Sequence, residues 1–169
     1  MPMLRVLATA FATALLLAPV PATAQVRCGV TGTYLTVKSH DASVDPSVVG
    51  RTLLSFLPGG QMVMIDAAQG GIKGFQPFTD ARGEWTCEAA GAEGEPFRAV
   101  MVDFTFATDA KPDAMMARVD LIGHYSAGTV KGRATISFYP LSGNPLDAAA
   151  GADVIGYDFT GTRITADSR

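Results

Sequence analysis

The sequence predicts an all-β protein, an eight-stranded antiparallel up-and-down β-barrel. Three observations predict it. From residue 25 onward apolar residues alternate with a period of two, and no stretch sustains a helical period. Eight such stretches, 30–37, 51–57, 61–66, 81–89, 97–107, 116–126, 129–139 and 153–164, are separated by turn-forming residues. The connections between them alternate in length. Those after the first, third, fifth and seventh stretches are long and rich in Gly, Pro and Asp ("KSHDASVDPSVVG", "AAQGGIKGFQPFTD", "TDAKPDAM", "PLSGNPLDAAAGA"), whereas those after the second, fourth and sixth are "PGG", "AGAEGEP" and a two-residue turn. In a meander all odd connections lie at one end, so one end is tidy and the other is ringed by long loops, the segments that tend to carry function. Eight strands suffice to close a barrel, which removes exposed edges and leaves an interior for packed side chains or one small ligand.

The chain opens with Arg5, the apolar run "VLATAFATALLLAPV" and then Ala22-Thr23-Ala24. This reads as a secretory leader, residues 1–24, cleaved after Ala24; the run is short for the ~20 apolar residues of a membrane span, and Pro19 and Pro21 break it. Removing 24 of 169 residues leaves 145, enough for one domain with a real core, residues 25–169. The formal charge of −3 becomes −4 once Arg5 is gone, which gives no electrostatic footprint for nucleic acid or an anionic membrane. Export to the periplasm or beyond implies an oxidising compartment, where Cys28 and Cys87, the only cysteines, are expected to pair.

The strands are taken in order. Gly32-Thr33-Tyr34 lies in the first, just after Cys28. The second and third, "RTLLSFL" and "QMVMID", form a hairpin around "PGG", and Met62 and Met64 share a face. In the fourth, Gly83, Trp85 and Cys87 share a face; Trp85 is either core or a ligand platform. The fifth has two apolar faces. Val100, Val102, Phe104 and Phe106 make one and Phe97, Ala99, Met101, Asp103 and Thr105 the other. With the valine and phenylalanine face inward, as expected, Asp103 is exposed; with the other inward it is a buried acid.

A tight turn at Ala127-Gly128 joins the sixth and seventh strands. Counting back from Ser126 opposite Thr129 sets Tyr125 against Val130, Gly123 against Gly132, Leu121 against Ala134 and Val119 against Ile136, all on one apolar side. His124, Ile122 and Asp120 fall on the other. A one-residue slip would spoil that division. In the eighth strand Ile155, Tyr157, Phe159, Gly161 and Arg163 share a face, so a charge stands among aromatics.

Gly32-Thr33-Tyr34 resembles the G-x-W opening of lipocalins and other calycins, and "GTRI", Gly161 to Ile164, resembles their closing segment, in which an arginine packs across the opening aromatic. "LSFLPGGQM" and "ISFYPLSGNPLD" are similar to hairpins of small barrels of the allene oxide cyclase type. Tyr34 stands where lipocalins carry tryptophan, and neither the preceding helix nor the middle lipocalin motif is present. The resemblance implies a calycin-like barrel and transfers no ligand. Closure pairs the first and last strands, so Arg163 is expected over the Tyr34 ring at the short-loop end, with its donors on nearby carbonyls or a carboxylate, a contact worth about 0.5–2 kcal/mol. A Cys28–Cys87 disulfide at that end would add about 3–4 kcal/mol on the chain-entropy model.

Motifs of catalysis are sparse. His40, Asp41, Asp45 and His124 have no metal-ligand spacing, no G-x-S-x-G occurs, and "GGIKG" precedes no helix, so no catalytic residue, metal or cofactor is assigned. The inward faces are mainly aliphatic and aromatic. They point to a small, largely apolar ligand held at the open end, with Tyr157, Phe159, Trp85, Leu121 and Phe138 as candidate contacts and Tyr34, Arg163, Cys28 and Cys87 as structural residues. Met62, Met64, Met101, Met115 and Met116 are candidate adaptable lining. The alternatives are a cyclase or isomerase working by shape and exclusion of water, and a packed barrel whose loops bind a protein.

Overall fold

Eight strands follow one another in chain order and close: β1 (Gly32–Ser39), β2 (Arg51–Phe56), β3 (Gln61–Asp66), β4 (Ala81–Cys87), β5 (Glu95–Phe104), β6 (Met115–Ser126), β7 (Thr129–Pro140) and β8 (Ala152–Arg163). Each pairs antiparallel with the next, and β8 pairs with β1, in a computed structural model that describes residues 28–39, 50–71, 75–147 and 152–168. The leader, its cleavage site, His40, Asp41, Asp45 and part of "GGIKG" lie outside the described residues.

The hairpin of β6 and β7 has the register expected from its pattern, including Gly123 opposite Gly132. Its turn is set by Ala127 and Gly128, both at positive φ, as a two-residue turn between twisted strands requires. At the facing glycines the backbones come too close for side chains. A Cβ at Gly123 would lie 2.7 Å from Phe97 Cζ, and one at Gly132 would lie 2.9 Å from Phe159 Cζ.

Closure forces the two halves of the chain to agree on an inside. On β5 that agreement overturns the expected orientation. Met101 stands opposite Val119 and Asp103 opposite Ala117, both inward residues of β6, and cross-strand partners share a face. Phe97, Ala99, Met101, Asp103 and Thr105 are therefore buried, while Phe104 and Phe106 are 48% and 52% exposed. Asp103 is not the exposed carboxylate expected. Both faces of β5 are apolar, so hydropathy alone does not choose between them; pairing Trp85 with Ala99 and Gly83 with Met101 on the β4 side does.

The strands tilt, and the cross-strand rows show it. One row runs from Trp85 on β4 through Ala99, Leu121 and Ala134 to Tyr157 on β8; another runs from Phe97 through Gly123, Gly132 and Phe159 to Lys38 on β1. Each begins near the short-loop end and finishes near the long-loop end. Strand β7 loses register with β8 at Ser137/Phe138. Beyond it, Pro145 is buried and its carbonyl accepts from Arg118 Nη1 at 3.2 Å, so this part of the β7–β8 connection folds back over the outer face.

The lower lumen is a solid plug. Tyr34, Phe56, Trp85, Phe97 and Tyr125 meet edge to face, with ring centroids 5.0–6.2 Å apart. Trp85 Nε1 donates to Leu57 O at 3.0 Å, which satisfies its one polar atom. Arg163 lies beneath. Its guanidinium carbon is 5.4 Å from the Tyr34 ring centroid and 5.3 Å from that of Tyr125. Nη2 donates to Tyr34 Oη at 2.8 Å, to Thr31 O at 2.8 Å and to Gly29 O. Tyr34 Oη in turn donates to Val30 O at 2.9 Å. Cys28 and Cys87 are joined beside this plug, with Cα atoms 6.3 Å apart.

Candidate functional site

The upper lumen differs in kind from the plug. On four strands, β1, β2, β3 and β5, an inward face that starts apolar at the short-loop end becomes polar near the long-loop end. On β1 the inward residues run Tyr34, Thr36, Lys38; on β3, Met62, Met64, Asp66; on β5, Phe97, Ala99, Met101, Asp103. Strand β2 does the same in reverse, from Thr52 to Leu54 and Phe56, because it runs the other way. The polar ends converge into one cluster.

At its centre Lys38 Nζ forms an ion pair with Asp66 Oδ2, their side chains 12% and 3% exposed. Asp66 is further held by Thr52 Oγ1, which donates to Oδ2 at 3.3 Å, and by the Ala68 amide, which donates to Oδ1 at 2.9 Å. Thr36 Oγ1 donates to Thr52 O at 3.0 Å. The ammonium lies 4.7 Å from the centroid of the Tyr157 ring, a cation–π contact in a water-poor setting. These bonds answer the desolvation cost that a buried ion pair carries.

Asp103 is the exception. It is 4% exposed, and its Oδ1 is buried without a hydrogen-bond partner among the described residues. Burial, with the nearby Asp66 carboxylate as a second cause, raises its pKa to about 7. Burial also holds the Tyr157 hydroxyl well above the usual phenol value, again with Asp66 and Asp103 adding to the effect. At neutral pH this region therefore offers a phenol, a half-protonated carboxyl and a committed ion pair.

At the long-loop end lies a pocket of about 540 Å³, within the roughly 300–1,000 Å³ typical of small-molecule sites. Met115, Phe138 and Ile155 line it from the inward ends of β6, β7 and β8, and Phe75, Gln76 and Lys111 come from two rim loops. Those loops are tied together: Gln76 Nε2 donates to the carbonyls of Phe106, Lys111 and Asp113 at 3.0–3.1 Å, and the Phe106 amide donates to Pro77 O at 2.8 Å. A second pocket of about 320 Å³, among Cys87, Pro96, Ile122 and His124, is a groove at the short-loop end, remote from these groups.

Phe138 lines the mouth pocket, and Tyr157 is buried deeper, opposite Ala134 and beside the Lys38 ammonium. Leu121 and Phe159 lie buried at mid-depth, Phe159 against Gly132, and Trp85 lies in the plug. Sequence reasoning missed Lys38, assigned to the first long loop, and Asp66, treated as a strand end. The signal that finds both is a polar residue in phase with an apolar inward face, two residues beyond Met64 for Asp66 and four beyond Tyr34 for Lys38. Among the described residues no group of three or more His, Cys, Asp or Glu converges as metal ligands, and no helix is long and apolar enough to cross a membrane. Compared with family models, with curated proteins and with solved structures, the chain gives no match.

Proposed function

We propose that the protein binds a small, largely apolar molecule in its upper lumen, entering through the long-loop end. The mouth pocket carries this reading. Its walls are Met115, Phe138 and Ile155 with Phe75 and Pro112, and Gln76, Lys111 and Asp113 supply a few polar groups, the usual make-up of a ligand site. Export is part of the reading: the leader-like opening of the chain and the Cys28–Cys87 disulfide both fit an oxidising compartment. Native mass spectrometry of the protein purified from its own cell envelope tests it. One reproducible added mass, lost on organic extraction, is expected; bare polypeptide that also takes up no apolar probe overturns it.

Asp103 favours one second reading, a cyclase or isomerase. A buried acid poised near neutrality beside a phenol is suited to proton transfer. Recovery of the bound molecule as two isomers, in a ratio that changes in Asp103→Asn, would establish this reading over simple binding.

A further inference from the structure

We propose that Asp103 is the hydrogen-bond donor that anchors the ligand, and that this ligand is an uncharged, largely apolar molecule carrying one carbonyl-type acceptor. The inference rests on the upper lumen being a binding site. It begins from the unpaired Oδ1. Buried polar atoms are nearly always bonded, and one left without a partner inside the lumen has a role to fill.

Access to Asp103 is built into the register. Asp103, Ala117 and Phe138 form one cross-strand row on β5, β6 and β7, and such rows climb toward the mouth. Asp103 thus lies deeper than Phe138, which lines the pocket. In that row the residue between them is Ala117, the smallest side chain with a Cβ. The next inward residue above Asp103 is Thr105, whose Oγ1 already accepts from the Met115 amide at 2.9 Å.

The surrounding charges choose the ligand class. The titratable groups that act on Asp103 are Asp66 on β3 and Tyr157 on β8, with Lys38 on β1 joined to both. Lys38 is committed to Asp66. Within the lumen an anionic ligand would meet the Asp66 and Asp103 carboxylates, with Lys38 already committed, while at the mouth Lys111 and Asp113 bring one charge of each sign. Burial and Asp66 already bring the Asp103 carboxyl to the edge of neutrality. A ligand filling the pocket removes more water and favours the protonated acid further. The acid then has an O–H to donate, and the Tyr157 hydroxyl is a second donor nearby. A carbonyl accepts from such donors without bringing in charge.

Proton linkage fixes the sign of the pH effect. If the bound state holds Asp103 at a higher pKa than the free protein, binding takes up protons, and affinity falls as pH rises through about 7.

Three probes with one aromatic body separate the possibilities: methyl naphthyl ketone, ethylnaphthalene and naphthylethylamine. Their binding is measured by calorimetry at about pH 5.5 and about pH 8.5. The expected result is that the ketone binds about tenfold tighter than the hydrocarbon at the lower pH, and that most of this preference is lost at the higher pH. Asp103→Asn keeps a donor that does not titrate, so it should retain a ketone preference that no longer changes with pH. Equal binding of ketone and hydrocarbon overturns the head-group assignment and leaves the pocket reading standing. Preference for the amine at the higher pH overturns it in favour of a carboxylate receptor. Failure of all three probes to bind overturns both.

Discussion

Arg163 and Asp103 are charged residues at opposite ends of the barrel interior, and they do opposite things. Arg163 is fully engaged, stacked between Tyr34 and Tyr125 and bonded to Tyr34 Oη, Gly29 O and Thr31 O. Lysine keeps the charge but loses the planar fork that makes several of these bonds at once. Arg163→Lys is therefore expected to cost about 1–3 kcal/mol in urea unfolding; an unchanged midpoint would show that the barrel closes without it. Asp103 has an Oδ1 without a partner among the described residues, and its folded pKa of about 7 lies above the ordinary 3.8. A raised value in the fold means that ionisation opposes folding. The penalty is absent below about pH 4, grows through about pH 7 and is constant above, reaching roughly 4 kcal/mol. Asp103→Asn should thus stabilise the protein near pH 8 and lose that advantage near pH 4; a gain that is the same at both would exclude buried charge as its cause. Arg163 was legible because its strand has one aromatic face and closure leaves it one neighbour, Tyr34. Asp103 was not, because both faces of its strand are apolar.

At the scale of elements, the β6–β7 hairpin was legible to the residue. A two-residue turn fixes the register, and only one register separates the apolar side from the polar one. The same hairpin carries the bend at Gly123 and Gly132. Gly132→Ala places a methyl against the Ile122 carbonyl and 2.9 Å from Phe159 Cζ, and is expected to destabilise by about 2–4 kcal/mol in thermal or urea unfolding. A neutral result would mean that the strands separate there at little cost. Strand β1 was placed two residues early, which left Lys38 in a loop. Val30 and Thr31 look strand-like in composition, but Val30 lies with Gly29 in a turn that the Thr31 amide closes onto Cys28 O, and Val30 is fully buried against the core. Propensity does not separate a strand from the apolar segment that caps it. The gain in polarity along β1, β3 and β5 was present in the sequence. Its meaning appears only when the strand ends meet, since one polar residue at a strand end reads as the start of a loop.

For the molecule as a whole, alternating loop lengths and a closed meander give the two ends different work. The short-loop end holds the disulfide, the arginine fastener and the aromatic plug; the long-loop end holds the pocket and the polar cluster. The closed barrel of eight antiparallel strands is consistent with the calycin-like architecture expected from the sequence. The methionines report on both ends, because Met115 lines the mouth pocket while Met62, 1% exposed, is part of the packed core on the strand facing Phe56. The most direct test of the division is a methyl NMR titration of ¹³C-methionine-labelled protein with methyl naphthyl ketone. The account predicts that the Met115 methyl shifts and saturates while Met62 stays in place; perturbation centred on Met62, or none at Met115, would contradict it.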